Sequence, residues 1–183
     1  MPNSFLIFVK PDGIARKLAG TVITRFENAD FKIVKMKMGR ITDELSMLLY
    51  QDSEAQLGGM GNKTIKAMTD KGEAATIRKL FGTEEPVEIG RQLNAWNRVY
   101  AVSADVIAMI IEKEGDAATA ARAVAGKTDP AISPKGTIRG DFADDSIYRA
   151  NLEKRACKNI VHASDADTVV ADIQNFERYF FSR

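Results

Sequence analysis

The first apolar segment of the chain is short and continuous. Residues 5–9 are all apolar, as expected of a central strand that is buried on both faces. This strand ends at Lys10, and the turn Pro11-Asp12-Gly13 follows it. Apolar side chains then recur every four residues, which predicts a helix carrying Ile14, Leu18, Val22 and Phe26.

Three later segments are also predicted to be strands. Residues 31–38 mix lysines with apolar residues, so one face of this strand is expected to meet water. The alternation slips at Ile33-Val34, which indicates a β-bulge. Residues 106–111 form a second buried apolar run, and Asn159-Ile160-Val161 is read as a short last strand.

Helices are predicted between and after these strands. A short helix reaches Tyr50, and residues 51–86 then differ in character, with a glycine-rich stretch and two short helix-like pieces. The segment after Pro86 is a helix whose apolar stripe contains Ile89, Leu93, Trp96 and Tyr100.

The second half of the chain adds three more helices. Asp116 opens an alanine-rich helix that stops at Gly126. Residues 147–158 are read as a charged helix. Ser164 and Asp167 resemble a capping box at the start of the last helix.

The order of these elements predicts the fold class. Without two candidate insertions, at about 51–86 and 143–158, the order is strand, helix, strand, strand, helix, strand. This is the ferredoxin-like split βαβ arrangement, an α/β (α+β) fold with a four-stranded antiparallel sheet and helices packed on it. We expect residues 1–183 to form a single domain.

Composition narrows the possible functions. Lys+Arg number 26 and Asp+Glu 25, so the net charge of +1 argues against a general affinity for nucleic acid or anionic membranes. The single cysteine, Cys157, cannot form an intramolecular disulfide, and the start of the chain lacks signal-peptide features. These features, with no apolar run of bilayer length, predict a cytoplasmic protein without membrane partners.

The only histidine, His162, is the first candidate for chemistry. It falls where the last strand meets the last helix, and a neutral imidazole nitrogen can attack phosphorus. Lys10, Arg122 and Arg139 lie at or beside element boundaries, and phosphoryl transfer needs such cations to neutralise the transferred oxygens. A lone histidine is more often structural, and a single cation more often a solvated surface residue, so this interpretation depends on their combination.

Other motifs are weaker. Gly126-Lys127-Thr128 lacks the glycine, strand and helix context of a P-loop. The aspartates at 141, 144 and 145 are read mainly as a solvated loop, although a divalent ion is conceivable. Residues 154–158 contain a basic run that is read as a wet helix face, and Cys157 has no partner at zinc-ligand spacing.

Four blocks of the sequence together resemble the nucleoside diphosphate kinase family. They occur in the family's order, and the resemblance covers roughly residues 4–50 and 100–181. The blocks are Phe8-Val9-Lys10-Pro11-Asp12-Gly13, Gly126-Lys127-Thr128-Asp129-Pro130, Pro134-Lys135-Gly136-Thr137-Ile138-Arg139-Gly140-Asp141-Phe142 and Asn159-Ile160-Val161-His162-Ala163-Ser164-Asp165.

The resemblance implies a role for each matching residue. His162 matches the phosphorylated nucleophile, with Tyr50 and Ser164 beside it. The nucleotide-binding set implied by the family comprises Lys10, Arg122, Thr128, Arg139 and Asn159. The family uses Mg²⁺ held mainly by the nucleotide phosphates, so no protein metal ligand is expected. Nucleoside di- and triphosphates are the implied partners, and a homo-oligomer, a dimer-based tetramer or hexamer, is implied as well.

The chain also departs from the family pattern. The two candidate insertions interrupt it, and the aromatic that stacks on the base cannot be placed among Leu93, Trp96 and Tyr100. The family glutamate that supports the serine and histidine aligns with Asp172, whose side chain is shorter. The glycine that usually follows the histidine is Ala163.

The expected function is therefore a ping-pong phosphotransferase with broad base tolerance. One alternative is a catalytically degenerate nucleotide-binding sensor or scaffold, which the insertions and Asp172 would favour. Another is a ferredoxin-like RNA-binding module, which would need interleaved aromatic and basic residues on the strand faces. The strands near Phe5 and Val106 lack that pattern, so no nucleic-acid partner is expected.

Overall fold

Four antiparallel strands form one sheet in the computed structural model, which describes residues 3–182. The strands are β1 (Ser4–Val9), β2 (Lys32–Gly39), β3 (Val106–Glu112) and β4 (Val161–Ala163). Their spatial order is β2-β3-β1-β4, and each neighbouring pair is antiparallel. The predicted four-stranded antiparallel sheet is confirmed.

The apolar run of β1 occupies the centre of the sheet. Its side chains alternate between two buried clusters, with Phe5, Ile7 and Val9 on one face and Leu6 and Phe8 on the other. Phe8 is directly opposite the histidine of β4 in the strand register. The most buried strand of the protein therefore fixes the position of the candidate nucleophile.

Ten α-helices lie among the described residues. Several begin at a residue whose side chain accepts a first-turn N–H, among them Thr42, Ser53, Asp116, Thr137 and Ser146. The helices are α1 (Pro11–Ala15), α2 (Ala19–Glu27), α3 (Asp43–Leu49), α4 (Glu54–Thr69), α5 (Thr76–Phe81), α6 (Pro86–Ala101), α7 (Ala117–Ala125), α8 (Ile138–Phe142), α9 (Ile147–Leu152) and α10 (Val169–Phe176). A short 3₁₀ turn (Pro130–Ile132) and a π-helical turn (Glu177–Phe181) complete the set.

Two glycines bring α4 and α6 into backbone contact. A Cβ at Gly61 would lie 1.9 Å from the Pro86 carbonyl oxygen, and one at Gly90 would lie 2.0 Å from the Leu57 carbonyl oxygen. Any side chain there would force the helices apart. The two glycines therefore allow the close packing that holds α4 against the rest of the protein.

Several predicted boundaries are wrong. The helix expected through Ile14 and Phe26 is two helices, because the chain reverses at Lys17, whose φ is +58°. The first helical piece after residue 51 is not short, since α4 has 16 residues. The β-bulge in β2 is confirmed by a register shift between Ile33 and Lys35.

The largest corrections concern the C-terminal part. The last strand comprises Val161–Ala163 rather than residues 159–161, because it is defined by pairing with β1. The helix predicted over 147–158 ends at Leu152. Ser164 caps no helix, since α10 begins at Val169 after Thr168. Within residues 3–182, no helix is long and apolar enough to cross a membrane.

Candidate active site

A cavity of about 380 Å³ opens beside the ends of β1 and β4. It brings together most of the residues that the motifs singled out, although they come from distant parts of the chain. Among the predicted site residues, Ser164 is fully buried and does not line the cavity. The predicted residues on the cavity wall are Lys10, Tyr50, Arg122, Thr128, Arg139, Asn159, His162 and Asp172.

His162 lies inside β4, not at the junction expected from the sequence. Its ring stacks on Phe8 with centroids 4.5 Å apart and planes 9° apart, and the edge of Tyr50 approaches at 6.3 Å. Burial lowers the pKa of His162 well below its ordinary value, and the charges of Lys10 and Arg139 lower it further. The imidazole is therefore neutral at physiological pH and keeps a free lone pair.

One edge of the His162 ring faces the protein interior. Its Nε2 atom is buried and has no hydrogen-bond partner among the described residues. Asp172 accepts a hydrogen bond from Thr168 Oγ1 at 2.9 Å. Burial raises the pKa of the Asp172 carboxyl, and the nearby hydroxyls of Ser164 and Thr168 oppose this rise.

Lys10 is held at the floor of the cavity. Its Nζ donates to Asn159 Oδ1 at 2.8 Å, and Asn159 Nδ2 donates to the Thr128 carbonyl at 2.8 Å. This chain of bonds defines the orientation of the Asn159 amide. Burial lowers the pKa of Lys10 to about 8, with a further decrease caused by Arg139.

A strained turn precedes the histidine. Ile160 has φ of +69°, which is unfavourable for a β-branched residue, and Val161 N–H donates across it to the Asn159 carbonyl at 2.7 Å. The Lys10 N–H donates to the Ile160 carbonyl at 2.8 Å, and the Asp12 carboxylate accepts from the Ile160 N–H at 2.9 Å. These bonds hold the strained conformation in place.

Asp12 and Tyr100 form a support that the sequence interpretation missed. The Tyr100 hydroxyl donates to Asp12 Oδ1 at 2.6 Å and accepts from the Asp12 N–H at 3.0 Å. The available signal was the turn Pro11-Asp12-Gly13, which predicted a change of direction but not a partner 88 residues away. Tyr100 is thus a supporting residue and not a base-stacking one.

Two side chains of α6 hold the backbone of Tyr50 in place. Its carbonyl accepts from Asn94 Nδ2 and Arg98 Nε, both at 3.0 Å. Burial raises the pKa of the Tyr50 phenol, so the hydroxyl stays protonated beside His162. Asn94 and Arg98 were also missed, because their contacts span more than 40 residues.

The two arginines occupy different environments. Arg139 is buried in α8 and donates to the carbonyls of Gly126 and Val161, each at 2.8 Å. Arg122 lies on α7 at the more exposed edge, where it forms an ion pair with Asp165. Burial lowers the pKa of Arg139 to about 10, and the neighbouring charge of Arg122 acts in the same direction.

The other end of the cavity is formed by α4 and by α9 with its following turn. Of the three residues considered for base stacking, Leu93 lines the cavity. Trp96 packs against Phe81 with ring centroids 5.9 Å apart, in a separate apolar cluster. The walls of this end include Ala55, Gln56, Gly59, Met60, Lys63, Thr64, Ile147, Ala150 and Asn151.

The acidic cluster is not simply a solvated loop. Asp145 is 8% exposed and accepts two bonds from Arg155, at 2.5 and 3.0 Å, and one from the Lys158 N–H at 2.8 Å. Arg155 is therefore not on a wet helix face. Asp141 accepts from Arg25 at 2.5 Å. Within residues 3–182, no group of three or more His, Cys, Asp or Glu could hold a metal ion.

Comparison with known proteins identifies the family. The family model for nucleoside diphosphate kinase matches residues 3–93 and 90–182. The chain belongs to the nucleoside diphosphate kinase family. It is thus an enzyme of the kinase class that binds nucleotides, and the resemblance based on the four motif blocks is confirmed.

Relatives among nucleoside diphosphate kinases share most of their length with this chain. The enzyme of Pyrobaculum aerophilum is 39% identical over 161 residues, covering 88% of this chain and 86% of the relative. That of Methanothermobacter thermautotrophicus is 35% identical over 166 residues, covering 91% and 79%.

Solved structures agree with the fold. A crystal structure of a nucleoside diphosphate kinase from Pyrobaculum aerophilum superposes with a TM-score of 0.87 at 35% identity, covering 95% of this chain and 94% of that one. A Borrelia burgdorferi nucleoside diphosphate kinase, described as a transition-state mimic with bound vanadate and ADP, gives a TM-score of 0.69 at 24% identity. That match covers 97% of this chain and 86% of the other. At that identity the second match supports the fold alone.

Proposed function

We propose that this chain transfers the terminal phosphate of ATP, or of another nucleoside triphosphate, to a nucleoside diphosphate through a phosphohistidine at His162. One observation carries the proposal. A neutral histidine, fixed by stacking on Phe8, lines the same cavity as Lys10, Arg122 and Arg139. Neutrality supplies the lone pair, and the cations supply the charge that phosphoryl transfer requires.

The proposed chemistry takes place in two displacements. Because Nε2 of His162 is buried, Nδ1 is the nitrogen assigned to attack the terminal phosphorus. The N–P bond forms as the bond to the bridging oxygen breaks, and the diphosphate leaves with that electron pair. A terminal oxygen of the second diphosphate then attacks the same phosphorus, and the N–P bond breaks to restore neutral His162.

The cavity provides separate contacts for phosphate and sugar. Arg139 is held by two carbonyls, so its guanidinium is positioned before the nucleotide arrives, which favours stabilisation of the transition state. Arg122 and Thr128 would contact the other phosphate oxygens. The linked pair Lys10 and Asn159 would hold the sugar, with the Lys10 ammonium also facing the transferred group.

Mg²⁺ would be held mainly by the nucleotide phosphates and would neutralise part of their charge. Among the described residues, the carboxylates on the cavity wall are Asp165 and Asp172. Asp165 is paired with Arg122, and Asp172 accepts a bond from Thr168. This donor set fits an ion that takes most of its ligands from the substrate and from water.

The remaining expectations rest on the resemblance. We propose a homo-oligomer, a tetramer or hexamer assembled from dimers, and a cytoplasmic location. The first is tested by the size of the protein in solution.

The decisive experiment is phosphoenzyme formation. The native chain is incubated with ATP labelled at the terminal phosphate and Mg²⁺, and an acid-labile, alkali-stable label is expected on the protein. A His162→Asn variant, which preserves side-chain polarity and should keep the fold, is expected to take up no label. Equal labelling of this variant would refute the proposal. Circular dichroism of both proteins verifies that loss of label is not loss of fold.

A second function is favoured by the unpartnered Nε2 atom of His162, since a histidine ring without a hydrogen bond at this nitrogen is less well oriented. The chain would then bind nucleotides without turnover, as a sensor or scaffold. Tight ADP binding together with no label in the same experiment would support this function.

A further inference from the structure

The cavity end that lies away from His162 is built along one face of α4. Its lining residues Ala55, Gln56, Gly59, Met60 and Lys63 are spaced one, three or four apart, as one face of a helix requires. This helix starts soon after the tyrosine that touches His162, so its lining face leads away from the histidine. The last of these residues is displaced from the first by about 12 Å along the helix axis.

The proposed function determines which part of a nucleotide reaches this end. With the phosphates at His162 and the sugar at Lys10 and Asn159, the base would extend into the end of the cavity that α4 and α9 line. The edge of a base that is farthest from its sugar, the Watson–Crick edge, then lies toward Lys63.

The end of the cavity away from His162 carries a positive charge that no cavity-lining carboxylate of the described residues balances. Lys63 lines the cavity with an exposed side chain that forms no ion pair with any residue of the 3–182 range. Arg155 also lines the cavity, but its guanidinium already donates hydrogen bonds to Asp145 and Glu153. The two cavity-lining carboxylates of the described chain, Asp165 and Asp172, both belong to the His162 end.

We infer that this kinase prefers acceptor bases that carry an oxo group at purine C6 or pyrimidine C4, namely guanine, uracil and thymine, and that Lys63 determines the preference. An ammonium group has three donors and no acceptor. It can therefore bond to the O6 of guanine or the O4 of uracil but gains nothing from the amino group of adenine or cytosine. The inference rests on the proposed function, and it refines the broad base tolerance implied by the resemblance.

The neutral side chains nearby explain why all bases are still accepted. Gln56, Asn97 and Asn151 line the cavity, and each amide offers both a donor and an acceptor. They can satisfy either kind of base edge, so they do not discriminate by themselves. The preference is thus graded, and it is attributable to a single charged side chain.

The test uses isolated phosphoenzyme and four acceptors: GDP, UDP, ADP and CDP. For the native chain, kcat/KM is expected to be about fivefold higher for GDP than for ADP and for UDP than for CDP. Lys63→Met should bring both ratios close to one. The matched control is Lys66→Met on the same helix, whose lysine pairs with Asp70 outside the cavity and which should keep the native ratios.

Two results would overturn the inference: native ratios close to one, or ratios that Lys63→Met leaves unchanged. Failure of the proposed function is distinguishable, since it would appear as no phosphoenzyme at all. In that case, equilibrium binding of the same four diphosphates to the native chain and to Lys63→Met decides the question. About fivefold tighter binding of GDP and UDP, lost in the variant, supports the inference, and equal binding of all four overturns it.

Discussion

At the scale of single residues, the least complete part of the site is the support of His162. Its Nε2–H needs an acceptor, because a bond there orients the ring and makes the other nitrogen more basic. Asp172 lies on the cavity wall, but its carboxylate is one methylene shorter than the family glutamate and bonds to Thr168 instead. The sequence comparison identified this weakness, and the unpartnered Nε2 atom is consistent with it.

We therefore predict that Asp172→Glu raises activity. The longer side chain should reach Nε2, and one added hydrogen bond is worth about 1 kcal/mol, which corresponds to about a fivefold increase in the rate of phosphoenzyme formation. Rapid-quench measurement of the labelled enzyme provides the rate. Asp167→Glu, at an exposed position nearby, is the control and should leave the rate unchanged. A slower rate for Asp172→Glu with unchanged thermal stability would contradict the prediction.

The pH dependence of activity follows from Lys10 and His162. The free enzyme should lose kcat/KM as the pH rises through about 8, because Lys10 then loses the proton that gives it charge. At the acidic end, the lowered pKa of His162 predicts no histidine-dependent loss near pH 6. Lys10→Arg should move the alkaline loss to higher pH, since a guanidinium stays protonated there. An identical alkaline limb in this variant would show that another group titrates.

At the scale of elements, the turn after α9 is fixed by one ion pair. Asp145 is bonded by Arg155 and by the Lys158 N–H, and the segment between them supplies Ala156 and Cys157 to the cavity wall. The bonds from Arg155 and from backbone N–H groups lower the pKa of Asp145, although burial opposes this effect. The carboxylate therefore stabilises the fold at neutral pH, and this contribution disappears as the pH falls through its lowered pKa.

We predict that Asp145→Asn weakens nucleotide binding more than turnover. Loss of the charge should cost about 2 kcal/mol of stability, less than for a fully buried pair because Arg155 is partly exposed. It should raise the KM for nucleotides several-fold with a nearly unchanged kcat. Asp144→Asn is the control, since Asp144 is 82% exposed and its bond to Arg16 is long. Equal effects of the two substitutions would mean that the pair does not position the cavity wall.

Element prediction from sequence worked where local pattern decides the structure. The sequence predicted β1 because a continuous apolar run is buried regardless of which strands pair with it. It predicted α7 because Asp116 and Gly126 mark the two ends of that helix. The start of β4 was missed because pairing with β1, and not its own composition, defines it. Ser164 is of a residue type that often caps a helix, yet it follows β4 directly and α10 begins only at Val169.

At the scale of the whole molecule, the cavity end around His162 was predictable and the end proposed for the base was not. The motif blocks contain Lys10 and Arg139, and Arg122 lies four residues before one of them, so the resemblance could place all three cations that act on His162. The base end depends on the contact of α4 with α9, represented by Asn151 Nδ2 and Thr64 Oγ1 at 3.5 Å and 87 positions apart. Such a contact leaves no local pattern in the sequence.

The proposed oligomer also belongs to this scale. β2 is an edge strand, and its Met36 and Met38 are 54% and 55% exposed on one face of the sheet. Exposed apolar side chains on an edge strand favour association with another chain. We predict that the double variant Met36→Glu and Met38→Glu yields a smaller species in light scattering. Met47→Glu, an equally exposed methionine on α3, should keep the native size. A native protein that is already monomeric would remove the basis of this prediction.

The contacts that hold His162 join the two ends of the chain. Phe8 stacks on it, and the bonds from Lys10 to Asn159 and from Asp12 to Ile160 span 149 and 148 positions. During synthesis, the first strand therefore leaves the ribosome long before its catalytic partners exist. Under the proposed function, a nascent chain cannot bind nucleotide productively until almost all of it has emerged, so an unfinished copy would neither consume ATP nor be stabilised by it.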